Sequence, residues 1–122
     1  MIRLCTYKNM LFIIVVLLLI AFAAFIHQER NIPVLNYHQV EDNVNNPLTL
    51  SNQEFEEQMA YLHRHGYNSI TPDQLIMHLR TGAALPDKPV LITFDDGYRD
   101  NYMNAYPIMK KYGFTGTVFL IT

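Results

Sequence analysis

The sequence predicts an α/β fold, a parallel sheet with helical crossovers, behind one apolar N-terminal helix. Three observations carry this. From residue 32 onward, apolar runs of strand length alternate with segments of helical period. Two helix starts read as capping boxes, Ser51 with Glu54 and Thr71 with Gln74. One run, residues 90–94, is almost continuously apolar, the pattern of a strand covered on both faces. The alternation alone does not separate an open sheet from a barrel.

The chain has 122 residues and is 50% hydrophobic, with the apolar content placed unevenly. Residues 11–26, LFIIVVLLLIAFAAFI, carry no charged or polar side chain. Arg3 and Lys8 precede the run, and basic followed by apolar is the layout of an export signal. Its length lies near the lower limit of the roughly 17–25 residues of a spanning helix. Ala21-Phe22-Ala23 offers a small-x-small cleavage site. Two readings stand: an uncleaved anchor or a removed signal. The anchor is preferred, because the apolar run continues past the cut. Arg3 and Lys8 before the run, against Arg30 beside Glu29 after it, place the N-terminus inside. Residues 1–30 are therefore a signal-anchor or transmembrane segment contacting the membrane. Residues 31–122 are an extracytoplasmic domain, or a secreted one if the signal is cleaved.

About 90 residues remain for that part, the size of one small domain or of a piece of a larger one. There acids outnumber Lys and Arg, which argues against a nucleic-acid partner. Cys5 is the single cysteine, so neither an intrachain disulfide nor a cysteine metal site can form.

Residues 32–38 read as a first strand ending on His38. Residues 41–49, with Asn43, Asn45, Asn46 and Pro47, read as a loop. The first capping box opens a helix with Phe55, Met59 and Leu62 on one apolar face, closed at Gly66. Residues 67–70 make a short strand. The second box, with Pro72 at the first helical position, opens a helix carrying Leu75, Ile76 and Leu79 and ending near Gly82. Strand 90–94 runs into Asp95-Asp96-Gly97. A helix over 99–112 has Pro107 inside it, which predicts a kink or break, and Gly113 stops it. Residues 117–121 begin another strand.

Two adjacent carboxylates at the end of a buried strand repel each other and need a partner. A divalent cation would hold one ionised and leave the other as a base. The competing reading is a hairpin turn, since Asp-Gly between apolar runs is a strong hairpin signal. The helical pattern after Gly97 speaks against the hairpin, and on the residues alone both readings stay open.

Thr93-Phe94-Asp95-Asp96-Gly97, followed by Tyr98-Arg99-Asp100-Asn101-Tyr102, resembles the first catalytic motif of the NodB-homology polysaccharide deacetylases. Pro33-Val34-Leu35-Asn36-Tyr37-His38, Phe55-Glu56-Glu57-Gln58-Met59 and Ala105-Tyr106-Pro107-Ile108 fit in the same order, so the likeness spans residues 32–122. It implies the first part of an irregular, incomplete (β/α) barrel with its site at the carboxyl ends of the strands. It implies Asp95 as the general base and Asp96 as the ligand of a divalent metal ion, with zinc expected. The implied reaction is metal-dependent removal of the N-acetyl group from an N-acetylated polysaccharide. The early Tyr37-His38 segment is similar to the type acting on poly-N-acetylglucosamine biofilm polymers.

The family's metal site also takes two histidines in a His-x₃₋₅-His element after the next strand, and its later motifs supply an arginine and a general-acid histidine. None of these appears before Thr122, so the chain is expected to be truncated, with an incomplete metal site and no turnover alone. His27 is expected at the membrane edge, His63 and His65 on different helix faces, and His78 exposed. His38, ending the first strand, is a possible wall of the site. A non-enzymatic remnant and a membrane-anchored glycan-binding module are the alternative functions.

Overall fold

The computed structural model describes residues 2–26, 31–42 and 46–122, in two units, Met1–Asn31 and Ile32–Thr122. His27, Glu29, Arg30, Asn43 and Asn45 lie outside the described residues, as do the side chains of Arg3, Cys5, Lys8 and Ala23.

The first unit is helix α1 (Ile2–Ile26). Among the described residues no helix is long and apolar enough to cross a membrane.

In the second unit, β1 (Val34–Tyr37) is followed by β2 (Gln39–Val40), β3 (Thr49–Leu50) and α2 (Asn52–Arg64). Then come β4 (Asn68–Ile70), α3 (Pro72–Thr81), β5 (Pro89–Asp96), a π-helical segment (Asn101–Ala105), α4 (Tyr106–Tyr112) and β6 (Thr117–Leu120). Every strand pairing is parallel, which gives the mixed α/β fold with helical crossovers. β5 is the hub. Leu91 pairs both Val34 of β1 and Ile70 of β4, and Thr93 pairs both Asn36 of β1 and Thr117 of β6. A strand has two edges, so β1 holds one edge of β5 while β4 and β6 share the other, at its amino and carboxyl ends.

Both capping boxes form. The Ser51 hydroxyl accepts from the Glu54 N–H and the Glu54 carboxylate accepts from the Ser51 N–H, with Thr71 and Gln74 doing the same at α3. The expected face of α2 is buried: Phe55, Met59 and Leu62 meet Val90, Ile92 and Phe94 of β5 and Met109 of α4. Each such side chain contributes about 1.5–3 kcal/mol by leaving water. The Tyr37 ring lies 5.0 Å from Phe55, edge-on, and 5.5 Å from Phe94, which ties β1 into this core.

One expectation needs correction. The segment read as a loop over 41–49 ends in β3, which pairs β2 in parallel. In α3 no residue is buried, and Ile76 and Leu79 are exposed. That helix is set by its own capping box and N-terminal proline, not by packing of an apolar face. The break at Pro107 is a widening. A proline in an α-helix crowds the carbonyl four residues back. Here the turn before it opens to π geometry, with the Tyr106 N–H donating to the Asn101 carbonyl five residues back, and Pro107 sits in the first turn of α4.

Candidate active site

Parallel strands bring their carboxyl ends to one rim. β1 ends there on Tyr37 with His38 following, and β5 ends there on Asp95 and Asp96. Along β5, Thr93 and Asp95 lie on one face, because side chains alternate. Asn36, which pairs with Thr93, shares that face.

The polar contacts form a short chain. The Thr93 hydroxyl, buried, donates to the Asn36 side-chain oxygen at 2.7 Å. The Asn36 amide donates to Asp95 Oδ2 at 2.8 Å. The His38 imidazole stands against both carboxylates, Nε2 3.8 Å from Asp95 Oδ2 and Nδ1 3.5 Å from Asp96 Oδ2. These are ion-pair separations, too long for hydrogen bonds, and His38 Nδ1 is buried without a hydrogen-bond partner among the described residues. All three side chains keep about a third of their surface in solvent, so the rim is a partly open polar site.

Asp96 has φ 69° and Gly97 φ 71°. For a residue with a Cβ the left-handed region costs about 1–2 kcal/mol. A two-residue hairpin would use a positive-φ pair of this kind, but the chain passes instead into the π segment, and β5 has only parallel partners. The hairpin reading of Asp95-Asp96-Gly97 therefore falls. The turn is also tight from above, since a Cβ on Gly97 would run into the Leu120 side chain.

Asp100 and Asn104, just after the turn, serve the backbone of Val40, which is fully buried. The Asp100 carboxylate accepts from the Val40 N–H, and the Asn104 amide donates to the Val40 carbonyl at 2.7 Å. Asp100 was legible only as part of a longer motif; its contact makes it the clamp that holds β2, and with it the residue after His38, against the π segment.

His63, His65 and His78 have partners away from the rim. His65 stacks on Tyr61 with centroids 3.9 Å apart, and His63 faces Tyr112 at 5.8 Å, so the two share no partner. His78 is half-buried rather than exposed, because its Nδ1 lies 2.7 Å from the Ala83 carbonyl beyond the end of α3.

Among the described residues no group of three or more His, Cys, Asp or Glu side chains is arranged to hold a metal ion. A zinc site takes at least three protein ligands. Asp96 offers one carboxylate, so these residues do not by themselves fit a divalent ion.

The family model described as polysaccharide deacetylase matches residues 82–122, which include the Asp95-Asp96-Gly97 turn. The Bacillus subtilis (strain 168) protein YxkH is 43% identical over 101 residues, covering 81% of this chain and 36% of that protein. The poly-β-1,6-N-acetyl-D-glucosamine N-deacetylase of Staphylococcus epidermidis is 32% identical over 110 residues, covering 79% of this chain and 38% of its own length. The solved structure of Streptococcus pyogenes deacetylase PplD in complex with acetate superposes with a TM-score of 0.69 at 32% identity, over 75% of this chain and 42% of that one. The chain thus spans somewhat over a third of these relatives. The family model, the sequence identity and the structural superposition agree, and the chain belongs to the polysaccharide deacetylase family.

Proposed function

We propose that residues 32–122 supply the carboxylate half of a site that hydrolyses the N-acetyl group of N-acetylglucosamine units in a polysaccharide. The observation that carries this is the convergence of Asp95, Asp96 and His38 on one strand-end rim. An ionised Asp95, held by Asn36, is placed to take a proton from water. The resulting oxygen nucleophile adds to the acetamide carbonyl carbon. When the carbon–nitrogen bond breaks, the leaving nitrogen needs a proton, the role for which the family resemblance implies a general-acid histidine of its later motifs. Acetate and a free amine leave. This is general base and general acid catalysis, of which these residues supply the base. In this reading His38 walls the site beside both carboxylates.

Asp96 is proposed as one ligand of a divalent cation, zinc by preference, completed by donors other than the described residues. The chain by itself is expected to release no acetate. The test is a chimera in which residues 32–122 replace the matching segment of the Staphylococcus epidermidis enzyme. Acetate release from poly-β-1,6-N-acetylglucosamine should be measurable and should fall at least a hundredfold on Asp95→Asn. A folded chimera without release, or one indifferent to Asp95→Asn, overturns the reading.

The uncharged run at 11–26 behind Arg3 and Lys8 supports export, with residues 31–122 outside the cytoplasmic membrane. Protease added to intact cells should then digest that part. Digestion only after lysis would refute export.

A further inference from the structure

We propose that the cleft beside the carboxylate rim is a subsite for the sugar ring next to the one being deacetylated, and that it selects a ring still carrying its N-acetyl group. The inference rests on the deacetylase reading and adds to it a place for the neighbouring ring. The cleft holds about 280 Å³ and shares Asn36 and His38 with the rim. Ligand pockets usually span about 300–1,000 Å³, so this one has room for a single ring.

Its polar wall is made by two glutamines whose oxygens are already used. The Tyr37 hydroxyl donates to Gln58 Oε1 at 2.6 Å. The Thr49 hydroxyl donates to Gln39 Oε1 at 3.2 Å, and the Asn46 amide reaches the same oxygen at 3.4 Å. Burial pushes the Tyr37 phenol up to about 12, so at neutral pH it keeps the proton it donates. Both glutamines line the cleft, and the NH₂ group of each has no partner among the described residues. The cleft therefore offers donors in search of acceptors.

The remaining wall is apolar, with Pro47, Leu48 and Leu50, and Leu48 is more than half exposed. A pyranose ring has hydroxyls around its rim and C–H groups on its faces, so it matches a cleft with amide donors on one side and aliphatic carbon on the other. Among the described residues no carboxylate lines the cleft. An acetamide brings a carbonyl acceptor to the free NH₂ groups. A deacetylated ring brings an ammonium, which has only donors and finds no acceptor in the amide NH₂ groups. The acetylation state of the neighbouring ring is thus read by hydrogen-bond polarity.

The test is a titration of the full 122-residue chain, followed by NMR of the side-chain amides. The probes are a β-1,6-linked N-acetylglucosamine trisaccharide and its fully deacetylated counterpart. The Gln39 and Gln58 side-chain amides should shift saturably, with the acetylated probe binding at least fivefold more tightly. Gln39→Glu and Gln58→Glu keep the acceptor oxygens but lose the donors, and each should weaken binding at least fivefold. Gln58→Met, on the exposed side of α2, serves if Gln39→Glu disturbs the Val40 and Phe55 signals that report folding. Shifts confined to Asn36 and His38, with both glutamines silent, would sink the subsite and leave the deacetylase reading standing. Equal affinity for the two probes would sink the selectivity and the proposal with it. No saturable shift anywhere would likewise sink the subsite.

Discussion

Asn36 holds Asp95 across the β1–β5 pair, its amide 2.8 Å from the carboxylate while its own oxygen accepts from Thr93. The bond runs between residues that are not register partners. Asn36 pairs with Thr93, and Asp95 lies two residues further along the same face. A side chain tied at both ends has little rotamer freedom left, so the direction of the carboxylate is fixed by the neighbouring strand. Asn36→Ala should cost about 1–2 kcal/mol in a urea unfolding curve, the lower part of the range for hydrogen bonds to charged groups, because Asp95 is partly solvated. Asn36→Asp should cost more, since it sets two like charges at hydrogen-bond distance. A wild-type midpoint for Asn36→Asp would show that the contact does not hold the carboxylate.

The second prediction separates stability from chemistry at the turn. Asp96 takes a left-handed φ that glycine adopts freely. Asp96→Gly should therefore be neutral or stabilising by up to about 1 kcal/mol, while removing the carboxylate from the rim. Gly97→Ala should destabilise by about 1–2 kcal/mol, chiefly through φ, because the Leu120 side chain it meets is exposed and can move aside. Thermal melts of both variants check the pair. A clearly destabilised Asp96→Gly would mean that the Asp96 side chain holds the turn by contacts larger than its backbone strain.

The Val40 clamp makes the third prediction. Asp100→Ala leaves a fully buried backbone N–H without its acceptor, at a cost of about 1–3 kcal/mol. Asn104→Ala leaves the Val40 carbonyl in the same position. Both side chains serve one residue, so the double variant should be less destabilised than the sum of the singles, by 0.5 kcal/mol or more on the usual scale of coupled pairs. Strict additivity in a double-mutant cycle would show that the two contacts act independently.

Tyr37 makes a prediction about pH. Burial raises its phenol from 10.0 to about 12. Between those values the unfolded chain has lost the proton and the folded chain keeps it. Stability from this group is complete below pH 10 and is lost as pH rises toward 12, with a slope of at most about 1.4 kcal/mol per pH unit, reduced by its remaining solvent contact. Phenolate absorbance should show one tyrosine titrating about two pH units late, and Tyr37→Phe should remove that late component.

Much of this was legible in the chain. Ser51 with Glu54 and Thr71 with Gln74 declare their helix starts because capping is a local interaction, decided within four residues. The apolar run at 90–94 fixes the central strand because both of its faces must be covered. Asp95 and Asp96 stand out because paired carboxylates after such a run are costly. Asn36, Asp100 and Asn104 carried no separate signal. Their partners lie 59, 60 and 64 residues away, and a single Asn or Asp in a strand or helix looks the same whether it meets water or a distant backbone.

The last prediction concerns metal. Near Asp96 the described donors are its own carboxylate, Asp95 and His38, and they form no three-donor group. Asp95 Oδ2 is already engaged by Asn36. A structural zinc site supplies about 10–16 kcal/mol at neutral pH from a full ligand set, and one firm carboxylate supplies a small part of that. The 122-residue chain should therefore bind zinc several kcal/mol more weakly than a three-ligand site, and calorimetric titration should show a shallow, non-stoichiometric isotherm. Asp96→Asn should abolish what heat there is. Asp95→Asn should leave most of it, because in the proposed function Asp95 receives a proton rather than ligating. A sharp one-to-one isotherm that survives Asp96→Asn would mean that the ion sits on donors other than this rim, and the assignment of Asp96 would fall.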